Sequence, residues 1–403
     1  MTAGQESWFD IESFTDSLRG VTAVDLHFGP GRVLTLGELL DRMGGRRALV
    51  IGGKGTLSNG ALRSRLDEAL GGRWVGTYSG VTPRKRVESV FACIERMSEV
   101  GADTILGVGG GSSMDIARQA SAFAGDGRSL DELVETARIG AVGSISSRGG
   151  AWPVMLLPTT LAGADVSAGG SIEVLSAGES PDGQPRRVHG RVSPELVVLD
   201  ARVIALTPLS ALRGSLMNGV NKALEALYAV DRFPPGEAWA SFGLRLAVDQ
   251  LQRPRWNDVA WLEHLVVGVV LGSLYRRSSI IHAFAHALAR HTPVQQGAYH
   301  AVTGPAMMRY LGKRGVLPVD RLAPVLLPGR SADQVDDEQL AAVFAGICDG
   351  LGYPSRLSKI VDLDGGAIEA IATYACSDPL MRRSPLPSPL KSYEAMTVLR
   401  SMM

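Results

Sequence analysis

His282 and His286 stand four residues apart in the segment Ser279 to Gly297, SIIHAFAHALARHTPVQQG, whose apolar spacing predicts a helix with an exit marked by Pro293. Side chains four apart on a helix share a face, so the two imidazoles are offered together, as they are to a metal ion or a substrate. Gln296 follows where a third ligand is expected. A second pair, Asn218 and Lys222 in Met217-Asn218-Gly219-Val220-Asn221-Lys222, shares a helical face in the same way. Together these segments look like a metal site from which most of the ligands have gone. Taken by itself, Lys222 is more simply read as a snorkelling side chain with its head in water.

Two loops offer a different chemistry. The apolar run Thr104 to Val108 leads into Gly109-Gly110-Gly111-Ser112, after which Met114-Asp115-Ile116-Ala117-Arg118 opens a helix. Glycines let a backbone approach a ligand closely, and unpaired N–H groups at a helix start favour an anion such as a pyrophosphate. This is not the GxGxxG fingerprint, and a tight strand-to-helix turn explains it nearly as well. The loop Pro158-Thr159-Thr160-Leu161-Ala162-Gly163-Ala164-Asp165 follows another apolar run and places two hydroxyls at the carboxyl edge of a sheet, where ligands of open α/β sheets bind. An ordinary Thr-capped connection is the plainer reading of that loop; its coincidence with the glycine loop favours a cofactor.

The elements that must position these residues are legible as periodicity. Strands are predicted at Ala48 to Ile51, Trp74 to Tyr78, Thr104 to Val108, Pro153 to Leu157 and Leu196 to Leu199, with helical spacing at Leu62 to Leu70 and Arg86 to Val100. That βαβα order implies a mainly parallel sheet covered by helices. Ser167 to Gly190 reads as a hairpin or loop inserted before the last strand. Beyond Thr207-Pro208 the pattern becomes helical, through Ala211 to Val230, Glu237 to Leu251, Trp256 to Tyr275 and Val343 to Leu351. A boundary near residue 206 divides a 1–206 α/β domain from a 207–403 helical domain. Arg330 to Glu338 and Pro379 to Pro389 read as surface connections.

Composition narrows the function classes. With 41 Lys+Arg against 41 Asp+Glu there is no overall field to draw nucleic acid or an anionic membrane, which leaves a small molecule as the expected partner. Cys93, Cys348 and Cys376 show no pairing or metal-ligand spacing, and the start MTAGQESWFDIESF lacks a basic end and apolar run, so a reducing, cytoplasmic setting is expected. The most apolar stretch, near Trp261 to Leu274, carries Glu263 and His264 and reads as a core helix, not a membrane span.

With these motifs in order, the chain resembles the iron-containing alcohol dehydrogenase superfamily, which includes glycerol dehydrogenase and dehydroquinate synthase, over roughly residues 25 to 400. Within it the loops look most like those of maleylacetate reductases. Their PTTYAGSEMT stands against PTTLAGADVS here, and their MNAIAHxVEALYA against MNGVNKALEALYA. His300 falls where they carry the second histidine of a PHAETH-like segment. The resemblance implies a Rossmann-like parallel-sheet domain followed by an all-α domain, with the active site in the cleft between them, and commonly a dimer.

The resemblance also implies where a metal would sit, and there this chain departs from the family. The four ligand positions, an Asp and three His, hold Asn218, Lys222, His282 and Gln296. Neutral amides and an ammonium suit a divalent ion badly, so no catalytic iron or zinc is expected. Lys222 then takes the metal's place beside the substrate oxygen, His286 serves as proton relay or substrate orienter, and Asp165, Arg290 and His300 bind the substrate. The cofactor is NAD(P)H, held by Gly53, Lys54, Gly109, Gly110, Gly111, Ser112, Asp115, Thr159 and Thr160. Gly53-Lys54 follows the first strand where NAD-selective relatives often carry an Asp, which favours NADPH over NADH. The expected activity is a metal-independent reductase of a small carbonyl or activated enone. The alternative is a non-redox cyclase, lyase or isomerase using Lys222, His282 and His286 as acid and base.

Overall fold

The structure is a computed structural model and describes residues 24–140, 145, 150–166, 169–176, 178–181, 185–230, 233–275, 277–294 and 296–403. The amino-terminal segment read above for a targeting signal lies outside the described residues, as do parts of the 167–190 insertion. By its contacts the chain forms two units, one running to Thr160 and resuming over Ala164–Thr207, the other made of Leu161–Gly163 and Pro208–Met403.

The first unit is built on a six-stranded sheet of β1 (Asp25–Phe28), β2 (Ala48–Gly52), β3 (Trp74–Tyr78), β4 (Thr104–Gly109), β5 (Val154–Pro158) and, later in the chain, β8 (Leu196–Leu199). Their order is β1-β8-β5-β4-β2-β3 and each pairing is parallel. β2, β4, β5 and β8 are buried along their whole length. Strands covered on both faces need continuous apolar runs rather than alternation, which is why they stand out in the sequence. β1, Asp25–Phe28, was not anticipated: four residues on a sheet edge carry too little pattern. Helices α1 (Leu36–Arg42), α2 (Lys54–Leu57), α3 (Gly60–Leu70), α4 (Val87–Val100), α5 (Gly111–Asp126), α6 (Leu130–Arg138) and α7 (Ala201–Ile204) complete the unit. The insertion contains an antiparallel pair, β6 (Gly169–Leu175) with β7 (Arg186–Arg191).

The second unit is helical: α8 (Leu209–Ala226), α9 (Pro234–Leu251), α10 (Val259–Leu274), α11 (Ile280–His291), α12 (Gln296–Lys313), α13 (Val319–Leu326), α14 (Asp337–Gly350), α15 (Gly365–Ser377) and α16 (Ser392–Met402). α10 is apolar around its girth because it is buried on nearly every side. It meets α9 at backbone distance, since a Cβ on Gly243 would lie 2.2 Å from the Gly272 nitrogen. Among the described residues no helix is long and apolar enough to cross a membrane. The segment Pro379 to Pro389, expected to be a plain surface connection, opens with a 3-10 turn over Pro379–Arg383, buries Ser384, and accepts the Val230 N–H at Arg383.

Candidate active site

In the first unit the predicted cofactor loops gather at the carboxyl ends of β2, β4 and β5. Gly109 pairs in register with Pro158, and Thr159 N–H donates to the Gly109 carbonyl at 2.8 Å. Gly109 has φ +136°, and a Cβ there would stand 2.6 Å from Ser113 Oγ, so a side chain is excluded by both conformation and space. A Cβ on Gly110 would lie 3.4 Å from Thr160, which brings the two loops side by side. Gly110 caps α5 without a side chain, so the N–H groups of its first turn have no capping side-chain acceptor. Gly53 follows β2 and Lys54 starts α2, exposed and without an acidic partner among the described residues. This arrangement fits the pyrophosphate of a dinucleotide, with Lys54 a cation at the neighbouring strand end.

Asp115 is buried one turn into α5, and each of its oxygens takes an ionic hydrogen bond: Lys85 Nζ at 2.7 Å and Arg118 Nη2 at 2.5 Å. Those cations outweigh its burial and hold its pKa below the usual carboxylate range. Arg118, fully buried, also donates to the Ala164 carbonyl at 2.6 Å and so ties α5 to the second loop. Lys85 holds a left-handed backbone, φ +52°. Neither Lys85 nor Arg118 was anticipated, since an isolated basic residue in an arginine-rich chain carries no signal. Asp165 is buried in this unit as well.

In the second unit α8, α11 and α12 bring the remaining residues together. Lys222 lies one turn before the end of α8 and is 5 % exposed, which rules out the snorkelling alternative. Its ammonium donates to the Ala162 carbonyl at 2.5 Å, and two turns earlier Ser215 Oγ accepts Leu161 N–H at 2.9 Å. The turn 161–163 is thereby clamped onto α8. Asn218 Oδ1 lies 3.2 Å from His282 Nε2. The imidazole of His282 is 4.4 Å, centroid to centroid, from that of His300 and 6.1 Å from that of His286.

Glu225 is the residue that sequence reasoning undervalued. It is fully buried one turn beyond Lys222, accepts the N–H groups of Ile281 at 2.7 Å and His282 at 3.2 Å, and makes a very short contact with His282 Nδ1. Burial pushes its pKa up to about 8 against the pull of those N–H groups. The pair therefore keeps a proton between carboxyl and Nδ1 through neutral pH, while Nε2 of His282 donates to Asn218. A Glu three residues after Lys222 on a helix invites a surface reading, and only the tertiary packing of α11 shows otherwise.

His300, expected to bind substrate, lies inside the helical packing. It is fully buried, its Nε2 is 3.2 Å from Gln296, and burial followed by the charges of His282, His286 and Lys222 holds its pKa well below the usual range. It is a neutral backing ring for His282, and Gln296 is its partner. Asn221, also missed, pins α8 to α12 through Nδ2, 3.3 Å from the His300 carbonyl. His286 sits at the open side of the cluster, its side chain 39 % exposed. Arg290, one turn further along α11, stacks over Tyr374 at 5.0 Å and has no acidic partner among the described residues.

Residues 23–201 match the family model for iron-containing alcohol dehydrogenase. The chain is 27 % identical over 362 residues to a maleylacetate reductase of Rhizobium sp. (strain MTP-10005), covering 87 % of this chain and 89 % of that one. Among solved structures it shares its fold with a maleylacetate reductase from Agrobacterium tumefaciens, TM-score 0.70 at 22 % identity, covering 94 % of this chain and 95 % of that one. It also resembles sulfoacetaldehyde reductase from Bifidobacterium kashiwanohense in complex with NAD+, TM-score 0.80 at 16 % identity, covering 94 % and 97 %. In its loops, its sheet and its helical cluster together, the chain is similar to the iron-containing alcohol dehydrogenases, and among them to the maleylacetate reductases.

Proposed function

We propose that this protein is an NAD(P)H-dependent reductase of a small carbonyl or activated enone that works without a metal, Lys222 taking the metal's part. The observation that carries this reading is the buried Lys222 ammonium on the same face of α8 as Asn218, whose amide meets His282. The iron implied by the family name does not fit these residues. The matched positions supply one imidazole, two amides and an ammonium, and His282 already uses Nδ1 on Glu225 and Nε2 on Asn218. Such a set brings no anion to a divalent ion and sets a cation against it.

A dinucleotide does fit the loops at Gly109 to Ser112 and Thr159-Thr160, and when bound in reduced form it supplies the hydride. As hydride reaches the substrate carbon, the carbonyl oxygen or enolate gains negative charge. A fixed ammonium in a buried site stabilises that charge at little reorganisation cost and donates a proton to the oxygen, forming O–H and leaving a neutral amine. His282, held by Glu225, and Asn218 fix the polar wall around Lys222. Arg290, a guanidinium with no carboxylate partner among the described residues, is the residue to receive a substrate carboxylate. Lys54, with no acid at the end of β2, favours the 2′-phosphate of NADPH.

The test is steady-state oxidation of NADPH by chelator-treated protein, with maleylacetate, the compound in the relatives' name, as the first probe. Turnover without added metal supports the reading; activity that appears only with iron or zinc overturns it.

A further inference from the structure

A second carboxylate grips the histidine helix. Asp378 lies between α15 and the 3-10 turn Pro379–Arg383, 92 residues from His286 in sequence. Its Oδ1 accepts Leu380 N–H at 2.9 Å, capping the turn, and its Oδ2 lies 3.1 Å from His286 Nδ1. The Asp378 side chain is 8 % exposed. A carboxylate only accepts, so the hydrogen between them belongs to Nδ1. Burial alone would raise the Asp378 pKa, yet the bonds from His286 and Leu380 hold it below the usual carboxylate range, so it stays an acceptor at neutral pH. His282 on the buried side and His286 on the open side are thus each held at Nδ1 by a carboxyl group from another element.

We propose that Asp378 is a positioning residue that locks His286 in the Nδ1–H tautomer, making its Nε2 the basic nitrogen through which protons enter the site. This rests on the reductase reading, in which the amine left at Lys222 must regain a proton every turnover. Nε2 takes a proton from solvent water while Asp378 keeps the hydrogen on Nδ1, and the same proton then leaves Nε2 toward the amine. A tautomer fixed the other way would present N–H where a base is needed.

Asp378→Asn separates this from a structural role. With Oδ1 committed to Leu380 N–H, the amide nitrogen falls opposite His286 Nδ1 and donates to it, so the turn stays capped while the tautomer inverts. Imidazole nitrogen NMR of the NADPH-loaded protein should show His286 as Nδ1–H in the native chain and Nε2–H in the variant. The kcat should fall about 10–100-fold with NADPH affinity unchanged. Adding Asp378→Asn to His286→Gln should then cost nothing more. An Nε2–H tautomer in the native protein, or an equal loss in the His286→Gln background, overturns the proposal. An Nδ1–H tautomer in a protein that reduces no carbonyl would uphold the grip of Asp378 and sink the reductase reading.

Discussion

Replacing Lys222 with Met keeps the length and apolar stem of the side chain and removes its charge. At about 3 Å from a developing oxyanion, one charge is worth roughly 5 kcal/mol at an effective dielectric of about 20. Loss of a single oxyanion donor elsewhere costs about 3–4 kcal/mol, or 100–1000-fold in kcat, and that range is expected here. The variant also loses the 2.5 Å bond to Ala162, leaving a buried carbonyl short of a donor at about 1–3 kcal/mol of stability. The two effects are read separately: kcat from NADPH oxidation under saturating cofactor and substrate, stability from thermal unfolding, and NADPH affinity from nicotinamide fluorescence. Lys222→Arg keeps the charge and holds its proton too tightly to donate it, so it should recover part of the loss. A Lys222→Met protein that is folded, binds NADPH and turns over within about threefold of the native rate would refute the reasoning, because a stabilising charge of this size cannot be removed so cheaply.

The remaining expectations address the cofactor loops, selectivity and pH. Gly109→Ala, with a Cβ forced to 2.6 Å from Ser113 Oγ at φ +136°, should weaken NADPH binding at least tenfold by fluorescence titration while leaving α8 and α11 intact. Lys54→Ala should narrow the preference for NADPH over NADH, and an unchanged ratio of kcat/KM values would remove Lys54 from the 2′-phosphate site. Glu225 has a folded pKa raised to about 8, so the folded state binds its proton more tightly than the unfolded chain. Its contribution is therefore full below the ordinary carboxylate range and is lost as pH rises through about 8. Stability of the native protein should decline over that window, and Glu225→Gln should flatten the decline in pH-dependent denaturation curves. Arg290→Ala should raise KM for a carboxylate-bearing substrate with little change in kcat; equal KM values would place the carboxylate elsewhere.

Much of this was legible before any coordinates, and the reason differs from part to part. The central strands were plain because a doubly covered parallel strand such as Ala48–Gly52 must be continuously apolar. The pairs Asn218/Lys222 and His282/His286 were plain because helical spacing alone puts them on a common face. Glu225 and Asp378 were not plain. Each acts on a histidine 57 or 92 residues away, through packing that local periodicity does not encode. His300 matched a family motif in place but not in setting: its full burial depends on α12 packing against α8, which the spacing of its neighbours leaves open. The three-residue excursion at Leu161–Gly163 was hidden for the same reason, since it is set by Ser215 and Lys222 reaching across from α8.

The account stands most directly on whether hydride transfer proceeds without a metal. The deciding measurement is single-turnover oxidation of NADPH by exhaustively chelated protein mixed with an activated enone carboxylate, repeated after adding ferrous iron or zinc. We expect oxidation of the bound cofactor in the chelated protein, at a rate that neither metal raises. A cofactor that stays reduced until a metal is added would contradict the assignment of Lys222 as the group that answers the charge on the substrate oxygen.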